Sequence, residues 1–490
     1  MPNPTLRASA VAFSTKPRVG DATGGHTGAR VKRVVGLIDT TITLLEYNGQ
    51  RLCIFASHFG TAVDDATVNL QNALSDTLQL SAERILIFSS HNHSVPQLEP
   101  RQRTGYEESP KPAGLTAFGR AFVQQVRAAA KKLPAKLEPV SVWYGEGHES
   151  RITYNRKGRR ADGSTYLMRE EDRALLGGDF AGDIDAQAPV VVLKRADGSP
   201  VTAIVQFNGH PVTMYHPEKL VASGDWPQVA CRILAKKLRG LPVSFLQGCA
   251  GDVNSKHMFS ADVKLANRYG SWLGATYVAV LRDLRRSVQD GYEFAAPRVA
   301  VPLGGVPAAA TLEREIAEIR GFIKRAKAND QATQTCVGLN FPRAMSPAYR
   351  GKLVEYILPW SQWALQVRQR RPPAKLPRAL PMNVYVLRLG DVAIVGLPTE
   401  PFMGIGRQVR AGSPFALTIP CGYVNLATGF VGYLPDSPNV GDREYMSAFH
   451  RYTRFLPPFR RPAGDVLART AVATLKGFNL GKAAHVRQSR

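Results

Sequence analysis

Histidine is scarce in this chain, 10 among 490 residues, and several of the ten follow apolar runs. Ser89-Ser90-His91-Asn92-His93-Ser94 comes directly after Ile85-Leu86-Ile87-Phe88. Two histidines at i and i+2 beyond a strand end point to the same side while the chain stays extended. That arrangement suits a metal ligand with a neighbouring acid, base or supporting donor, although an HxH pair is also an ordinary loop feature. Asn208-Gly209-His210-Pro211 again follows an apolar run, Ala203 to Phe207. His210 thus emerges where open α/β sheets carry their active-site loops, and alone it reads equally well as a hydrogen-bonded loop histidine. His216 reads as a surface residue. The two strand-end histidine motifs together point to a shared site.

Three further segments carry possible chemistry. Phe245 to Ser255 holds glycines around Asp252 and Asn254. Such glycines permit tight backbone geometry, with N–H groups free to bind an oxyanion, or they simply turn the chain after a strand. Gly396-Leu397-Pro398-Thr399-Glu400-Pro401 places a lone carboxylate after Val392 to Val395, and Ala427 to Pro435 places Tyr433 in a glycine-rich loop. Taken singly, Glu400 and Tyr433 read as loop residues.

The elements that must position these groups are short apolar strands bounded by turn residues. Arg33–Ile38, Leu52–Phe55, Ile85–Phe88, Pro189–Leu193, Ala203–Phe207, Val384–Leu387 and Val392–Val395 fit that description. Helical periodicity runs through Phe118, Phe122 and Val126, with Lys131 and Lys132 near the C-terminal end. A second stripe joins Leu312, Ile316, Ile319 and Ile323, with Thr311 placed to cap it and Glu313 and Glu315 in its first turn. Pro227–Arg239 and Val263–Arg285 are less regular helices. No repeat of fixed period is visible. The alternation of strand and helix predicts an α/β fold built as one large catalytic domain.

The composition is 44% hydrophobic, enough for a sizeable core, and no apolar run is long enough for a membrane span. Lys and Arg number 63 against 39 Asp and Glu, a formal net charge of +24. That surplus favours anionic company: nucleic acid, an acidic membrane face or an anionic substrate. Proline-rich basic stretches at Val367–Pro381 and Phe455–Pro462 read as loops or exposed basic faces. No zinc finger, helix-turn-helix or aromatic–basic interleaving marks a nucleic-acid module, so no specific nucleic acid is expected. Five scattered cysteines without a CxxC pair fit reduced thiols. Met1–Ala29 lacks a secretory signal, so the expected location is cytoplasmic, with secretion open if the N-terminus is trimmed.

In this order and spacing, the five segments resemble the neutral/alkaline, non-lysosomal ceramidase family, zinc amidohydrolases that cut the amide of N-acyl sphingoid bases. The resemblance runs from about residue 33 to 450. It implies an α/β, ceramidase-like catalytic domain at 31–480 with strands and surrounding helices, a flexible segment at 1–30, a basic tail at 481–490, and absence of the family's C-terminal β-rich domain. It implies one Zn²⁺ per chain held by His91, His210, Glu400 and Tyr433, with His93 beside the catalytic water. Asn155-Arg156 resembles the family's Asn-Arg segment, whose arginine faces the site, and Tyr445 corresponds to a further pocket tyrosine. Ceramidases carry Gly-Asp-Val-Ser-Pro-Asn where this chain has Gly251-Asp252-Val253-Asn254-Ser255-Lys256. Asn254 stands at the serine position and Ser255 falls one residue late. This disfavours a serine nucleophile and keeps a zinc–water mechanism, with Asn254 as a hydrogen-bond donor.

The expected function is zinc-dependent hydrolysis of a linear amide, ceramide-like or another N-acyl compound, with His93, Arg156, Tyr445 and Asn254 as catalytic groups. The expected partner is a small-molecule or lipid-like N-acyl substrate, and the charge surplus adds an anionic substrate or surface. Two alternatives stay open at this point. One is an amide-forming enzyme of the same fold. The other is a non-catalytic basic protein on nucleic acid or an acidic membrane.

Overall fold

The computed structural model describes residues 5–23, 29–60, 64–100, 114–341, 343, 345–425, 432–452 and 455–488, without the side chains of 64–65 and 479–488. The α/β class read from the sequence is observed. Its main sheets repeat one supersecondary unit three times: an antiparallel hairpin, a helix, and a strand that returns parallel to the hairpin's second strand. The first unit is Ile38–Tyr47, Gln50–Ser57, helix Asp64–Leu78 and Ile85–Ser89. The second is Gln187–Lys194, Pro200–Phe207, helix Asp225–Lys237 and Val243–Gln247. The third is Tyr385–Leu389, Val392–Gly396, helix Met403–Gly412 and Leu417–Cys421.

Local chemistry explains each step. Asn48-Gly49, both at positive φ (51° and 69°), makes the two-residue turn that a right-twisted hairpin requires. A parallel partner cannot follow through so tight a turn, so a helical crossover returns the chain to the sheet. The units begin at 38, 187 and 385, and these unequal intervals hide the repetition from a search for a fixed period.

Strand side chains alternate faces, and here both faces are apolar. Ile54 and Leu86, Ile204 and Leu246, and Ile394 and Ile419 point inward into one core shared by the three sheets. The opposite faces are covered separately. Phe55 and Ile87 pack with Phe122 and Val126 of helix Ala117–Ala130. Val205 and Phe245 pack with Tyr269 and Leu273 of helix Val263–Val280. Val386 and Val395 pack with Leu467 and Ala471 of helix Asp465–Gln488. Full burial of each such side chain contributes about 1.5–3 kcal/mol. All five cysteines are buried and free, and among the described residues no helix is long and apolar enough to cross a membrane.

Several local expectations are corrected. Far from being flexible throughout, the first thirty residues supply Arg7–Thr15, which pairs antiparallel with Ile38–Tyr47 inside the first sheet. Its small and polar residues conceal it because the strand's partners supply most of the apolar surface. Residues 1–4 and 24–28 lie outside the described set. The 481–490 tail is helical to Gln488, continuing helix Asp465–Gln488, while its side chains and residues 489–490 lie outside the described set. Helix Ala309–Lys327 begins before Thr311, with Ala308 at its N-cap. Glu315 is therefore a turn further in, buried and paired with Arg451 (3.1 Å) and Arg443 (2.6 Å). The run 33–38 divides, Arg33–Val35 pairing with Val221–Ser223 while Ile38 opens the next strand. Helix Val263–Val280 stops short of Arg285, which joins Arg286 as an edge strand beside Ser141–His148.

Candidate metal centre

The repeated units explain why the expected residues meet. The paired strand ends Ser57/Ser89, Phe207/Gln247 and Gly396/Cys421 are in matching register, and the loops beyond them face one another. His91 lies two residues past Ser89, His210 three past Phe207 and Glu400 four past Gly396. Gln247 ties two of these loops together, its Nε2 donating to the carbonyls of Ser90 (3.0 Å) and Gly209 (2.7 Å). The Asn92 amide donates to the carbonyls of His58 and Ser223, fixing the chain between the two histidines. Glu400 and Tyr433 are direct register partners in a short parallel pair.

The side chains converge on one point. The ligand atoms of His91, His93 and His210 all lie within 4.8 Å of one another. Nε2 of His91 and Nε2 of His210 each stand 3.2 Å from Glu400 Oε2. His93 Nε2 is 3.1 Å from His91 Nε2, and the Tyr433 hydroxyl is 3.5 Å from His210 Nε2. Glu400 is 1% exposed and His210 fully enclosed.

The His210 Nδ1 is 3.0 Å from the Val253 carbonyl and its Nε2 is 3.2 Å from the Glu400 carboxylate, so both ring nitrogens face acceptors. Burial pushes this imidazole down to about 3, with Arg156 adding to the effect, so it carries one proton at neutral pH. Burial and the adjacent His91 push His93 well down too. For Glu400, burial acts upward, and the imidazoles of His91 and His210 outweigh it and hold the carboxyl below its usual range. With Nδ1–H on the Val253 carbonyl, the His210 Nε2 lone pair is turned toward the Glu400 carboxylate, with Arg156 Nη2 at 3.4 Å and the Tyr433 hydroxyl at 3.5 Å as the donors near it. A cation held between the imidazole and the carboxylate would satisfy both. Imidazole nitrogens with a carboxylate and a phenol are a donor set that fits Zn²⁺. The His91 Nδ1 is buried without a hydrogen-bond partner, and its ring is instead held by the stack on Tyr423.

Around this cluster, Arg156 is buried and donates from Nη2 to the Gly251 carbonyl at 2.7 Å. The same nitrogen is 3.4 Å from His210 Nε2, and the guanidinium lies 5.0 Å over the Tyr433 ring. Tyr445, half-buried, sets its ring edge-on to Tyr433 at 5.7 Å. Asn254 meets the site through its backbone, in a bridge with His210. Its side-chain amide faces Met258 (Nδ2 to Sδ 3.2 Å) and away from the histidines, because its short strand pairs with Thr153–Asn155. Ser255 receives a hydrogen bond from Thr213 and gives one to the His257 carbonyl. Asp252 is a clip: it accepts from the Met403 backbone N–H (2.8 Å) and the Asn155 amide (3.3 Å), and burial pushes it up to about 6. His216 is a partly exposed loop residue whose Nδ1 accepts from the Glu218 and Lys219 backbones. In the tyrosine loop, residues 427–431 lie outside the described set.

Tyr423 and Tyr215 belong to the site without having been anticipated. Tyr423 stacks on His91, centroids 4.4 Å apart at 26°, is 1% exposed, and keeps its hydroxyl without a hydrogen-bond partner. It lies two residues past Cys421, the same offset as His91 past Ser89, and both have left-handed φ (63° and 59°). That offset is the one sequence signal that would have found it. Tyr215 sets its ring edge-on to His93 at 5.5 Å, shares a 2.8 Å hydrogen bond with Tyr349, and packs on Phe259.

Gly251 sits against the Glu400 segment, its N–H bonded to the Pro401 carbonyl at 2.9 Å. A Cβ there would lie 2.6 Å from the Glu400 carbonyl oxygen and 3.0 Å from that of Pro401. Gly251→Val is therefore expected to displace Glu400 and weaken metal binding about 10- to 100-fold, read by competition with a chelator.

No family model matches the sequence, and comparison with curated proteins gives no match. Solved structures do match. The neutral ceramidase of Pseudomonas aeruginosa aligns at TM-score 0.61 with 16% identity, over 96% of this chain and 75% of that one. A ceramidase complexed with C2 aligns at TM-score 0.64 with 15% identity, over 96% and 74%. The likeness is one of fold: this chain has a ceramidase-like α/β fold.

Proposed function

We propose that the protein is a metal-dependent hydrolase of linear N-acyl amides, with one Zn²⁺ per chain held by His91, His210, Glu400 and Tyr433. The observation that carries this reading is the convergence of His91 Nε2 and His210 Nε2 on the buried Glu400 Oε2, each at 3.2 Å, the geometry of a shared cation site. A metal held there supplies a Lewis acid for the amide carbonyl and lowers the pKa of a water to about 7.

The chain's own residues then divide the work. His93, kept neutral by its burial, accepts the proton of the attacking water and delivers it to the leaving amine. Arg156, anchored on the Gly251 carbonyl, and Tyr445 stabilise the oxyanion that develops as water adds to the carbonyl. A serine nucleophile is disfavoured, since Asn254 fills its position and the Ser255 hydroxyl is engaged with Thr213 and His257. Tyr433 has its phenol pushed well up by burial, and bound metal would offset that. The aromatic pair Tyr215 and Phe259 beside His93 favours an apolar acyl chain, and a lipid-like substrate is also the kind that the names of the ceramidase neighbours suggest.

The test is amine release by the purified full chain from a fluorescent N-acyl-sphingosine and from a short N-acyl amine. Turnover of the first supports a lipid-like substrate. Turnover of the second alone keeps the amidase and removes the lipid assignment. Release from neither, by protein containing zinc, overturns the proposal.

Tyr423→Phe separates a working hydroxyl from a packing ring. It keeps the stack on His91 and removes a buried hydroxyl whose burial unpaired costs about 1–3 kcal/mol. The expected result is unchanged metal content, a melting temperature equal to or above wild type, and a kcat about 10-fold lower if that hydroxyl meets the substrate. An unchanged kcat restricts Tyr423 to orienting His91.

A further inference from the structure

We infer that the two proline-rich basic stretches form one docking surface for an anionic phospholipid bilayer. Although far apart in sequence, they are joined through a single strand. Arg298–Pro302 pairs antiparallel with Ala379–Asn383, and the Leu303 N–H continues the contact to the Arg378 carbonyl at 2.9 Å. On the other side, the Gly304 N–H donates to the Pro458 carbonyl (2.8 Å) and the Arg460 N–H to the Pro302 carbonyl (3.0 Å). Helix Leu358–Gln369 braces the junction, with Trp360 Nε1 on the Leu456 carbonyl (3.0 Å) and Arg368 Nε on the Pro307 carbonyl (3.1 Å). Beneath it Trp363 and Phe455 stack, half-buried, at 5.8 Å.

The surface so formed is predominantly cationic, with Glu315 and Asp442 facing the cavity behind Pro458 and Phe459. Arg368, Arg370, Arg371, Arg378, Arg460 and Arg461 are all exposed, and the segments 298–308, 358–383 and 455–464 contain no Asp or Glu. Elsewhere, arginines at the surface are matched with carboxylates: Arg7 with Glu46, Arg195 with Glu138, Arg232 with Asp39, Arg407 with Asp183. Among the described residues none of the six is so matched. Guanidinium groups without a carboxylate partner are complementary to phosphate.

Three features favour a lipid surface over nucleic acid. Pro372, Pro373, Pro377, Pro457, Pro458 and Pro462 remove backbone N–H donors, which nucleic-acid-binding loops use on phosphate oxygens. Among the described residues no large exposed apolar side chain lies here to stack on bases. The exposed rings of Pro372 and Pro373, set beside Arg371, suit the headgroup layer, where apolar and cationic groups act together.

The inference stands apart from the hydrolase reading, since vesicle binding and turnover of a soluble short N-acyl amide are separate readouts. The full chain is sedimented with phosphatidylcholine vesicles containing either about 30% phosphatidylglycerol or none, at about 0.1 M salt. Two charge-matched variants are compared: R370Q/R371Q/R460Q/R461Q, and a control altered at exposed positions elsewhere, at and just beyond two helix ends, K236Q/K237Q/R239Q/R282Q. At about 5-fold per cation, the patch variant is expected to lose at least about 100-fold in partitioning to anionic vesicles while the control loses little. Matched melting curves establish that both are folded, and R370Q/R460Q provides a milder replacement should the quadruple variant melt early. Equal losses in the two variants would reduce the effect to net charge and overturn the proposal. So would failure of wild type to bind anionic vesicles, or tighter patch-dependent binding to a thymidine oligonucleotide at the same salt.

Discussion

Glu400→Gln is expected to abolish metal binding while leaving the fold intact. Wild type should carry about one zinc per chain and the variant less than about 0.1, with amide hydrolysis reduced at least about 1,000-fold, equivalent to about 4 kcal/mol of barrier. Its effect on stabilisation by zinc is the more telling part. In metal-free protein the ionised Glu400 stands 3.2 Å from His210 Nε2 with 1% exposure, and the buried Arg156 guanidinium is the cation that offsets its charge. Glutamine has the same shape, no charge, and an N–H to give to that nitrogen. Zinc should raise the melting temperature of stripped wild type and leave that of Glu400→Gln unchanged. The readouts are metal analysis and thermal melting with and without chelator. A variant that keeps its zinc, or whose melting temperature rises with zinc as that of wild type does, would contradict the assignment of Glu400 as a ligand.

His93→Gln is the second large effect, and it divides differently. His93 stands 3.1 Å from His91 Nε2, near enough to share the metal's surroundings. The mechanism uses it for proton transfer. Zinc content is then expected to stay near wild type while kcat falls about 100- to 10,000-fold. The loss should be smaller for an N-acyl substrate with a good leaving group, such as a nitroanilide, since a weakly basic aniline needs little protonation on departure. Loss of zinc in step with activity would instead make His93 a ligand and require a different base.

The residues with chemistry were legible because each sits just beyond an apolar run that had to be a strand. His91, His93, His210 and Glu400 all obey that pattern, and the structure gathers them with Tyr433 and Arg156. What the pattern could not convey was which strands pair. Parallel pairing depends on crossover helices and on contacts distant in the chain, so the threefold repetition of the unit was invisible. Tyr423 went unseen for that reason, since only the equivalence of its loop with that of His91 singles it out. Asn254 was placed by its sequence position alone. Its backbone does meet His210, but strand alternation turns its amide toward Met258. Thr311 looked like a cap because it precedes the apolar stripe. The helix begins earlier, and Glu315 serves a buried ion pair with Arg451 where a first-turn dipole partner had been expected. The charge surplus, diffuse in the sequence, becomes concentrated only where the fold brings two proline-rich stretches against one strand.

The most direct test of the central claim is zinc-dependent amine release from an N-acyl amide by the full chain. Protein is stripped with chelator, dialysed, and assayed before and after addition of one equivalent of Zn²⁺, with metal content measured on the same samples. The account predicts negligible turnover in the stripped enzyme and recovery that saturates at about one zinc per chain. Undiminished turnover by protein holding less than about a tenth of an equivalent of metal would contradict it.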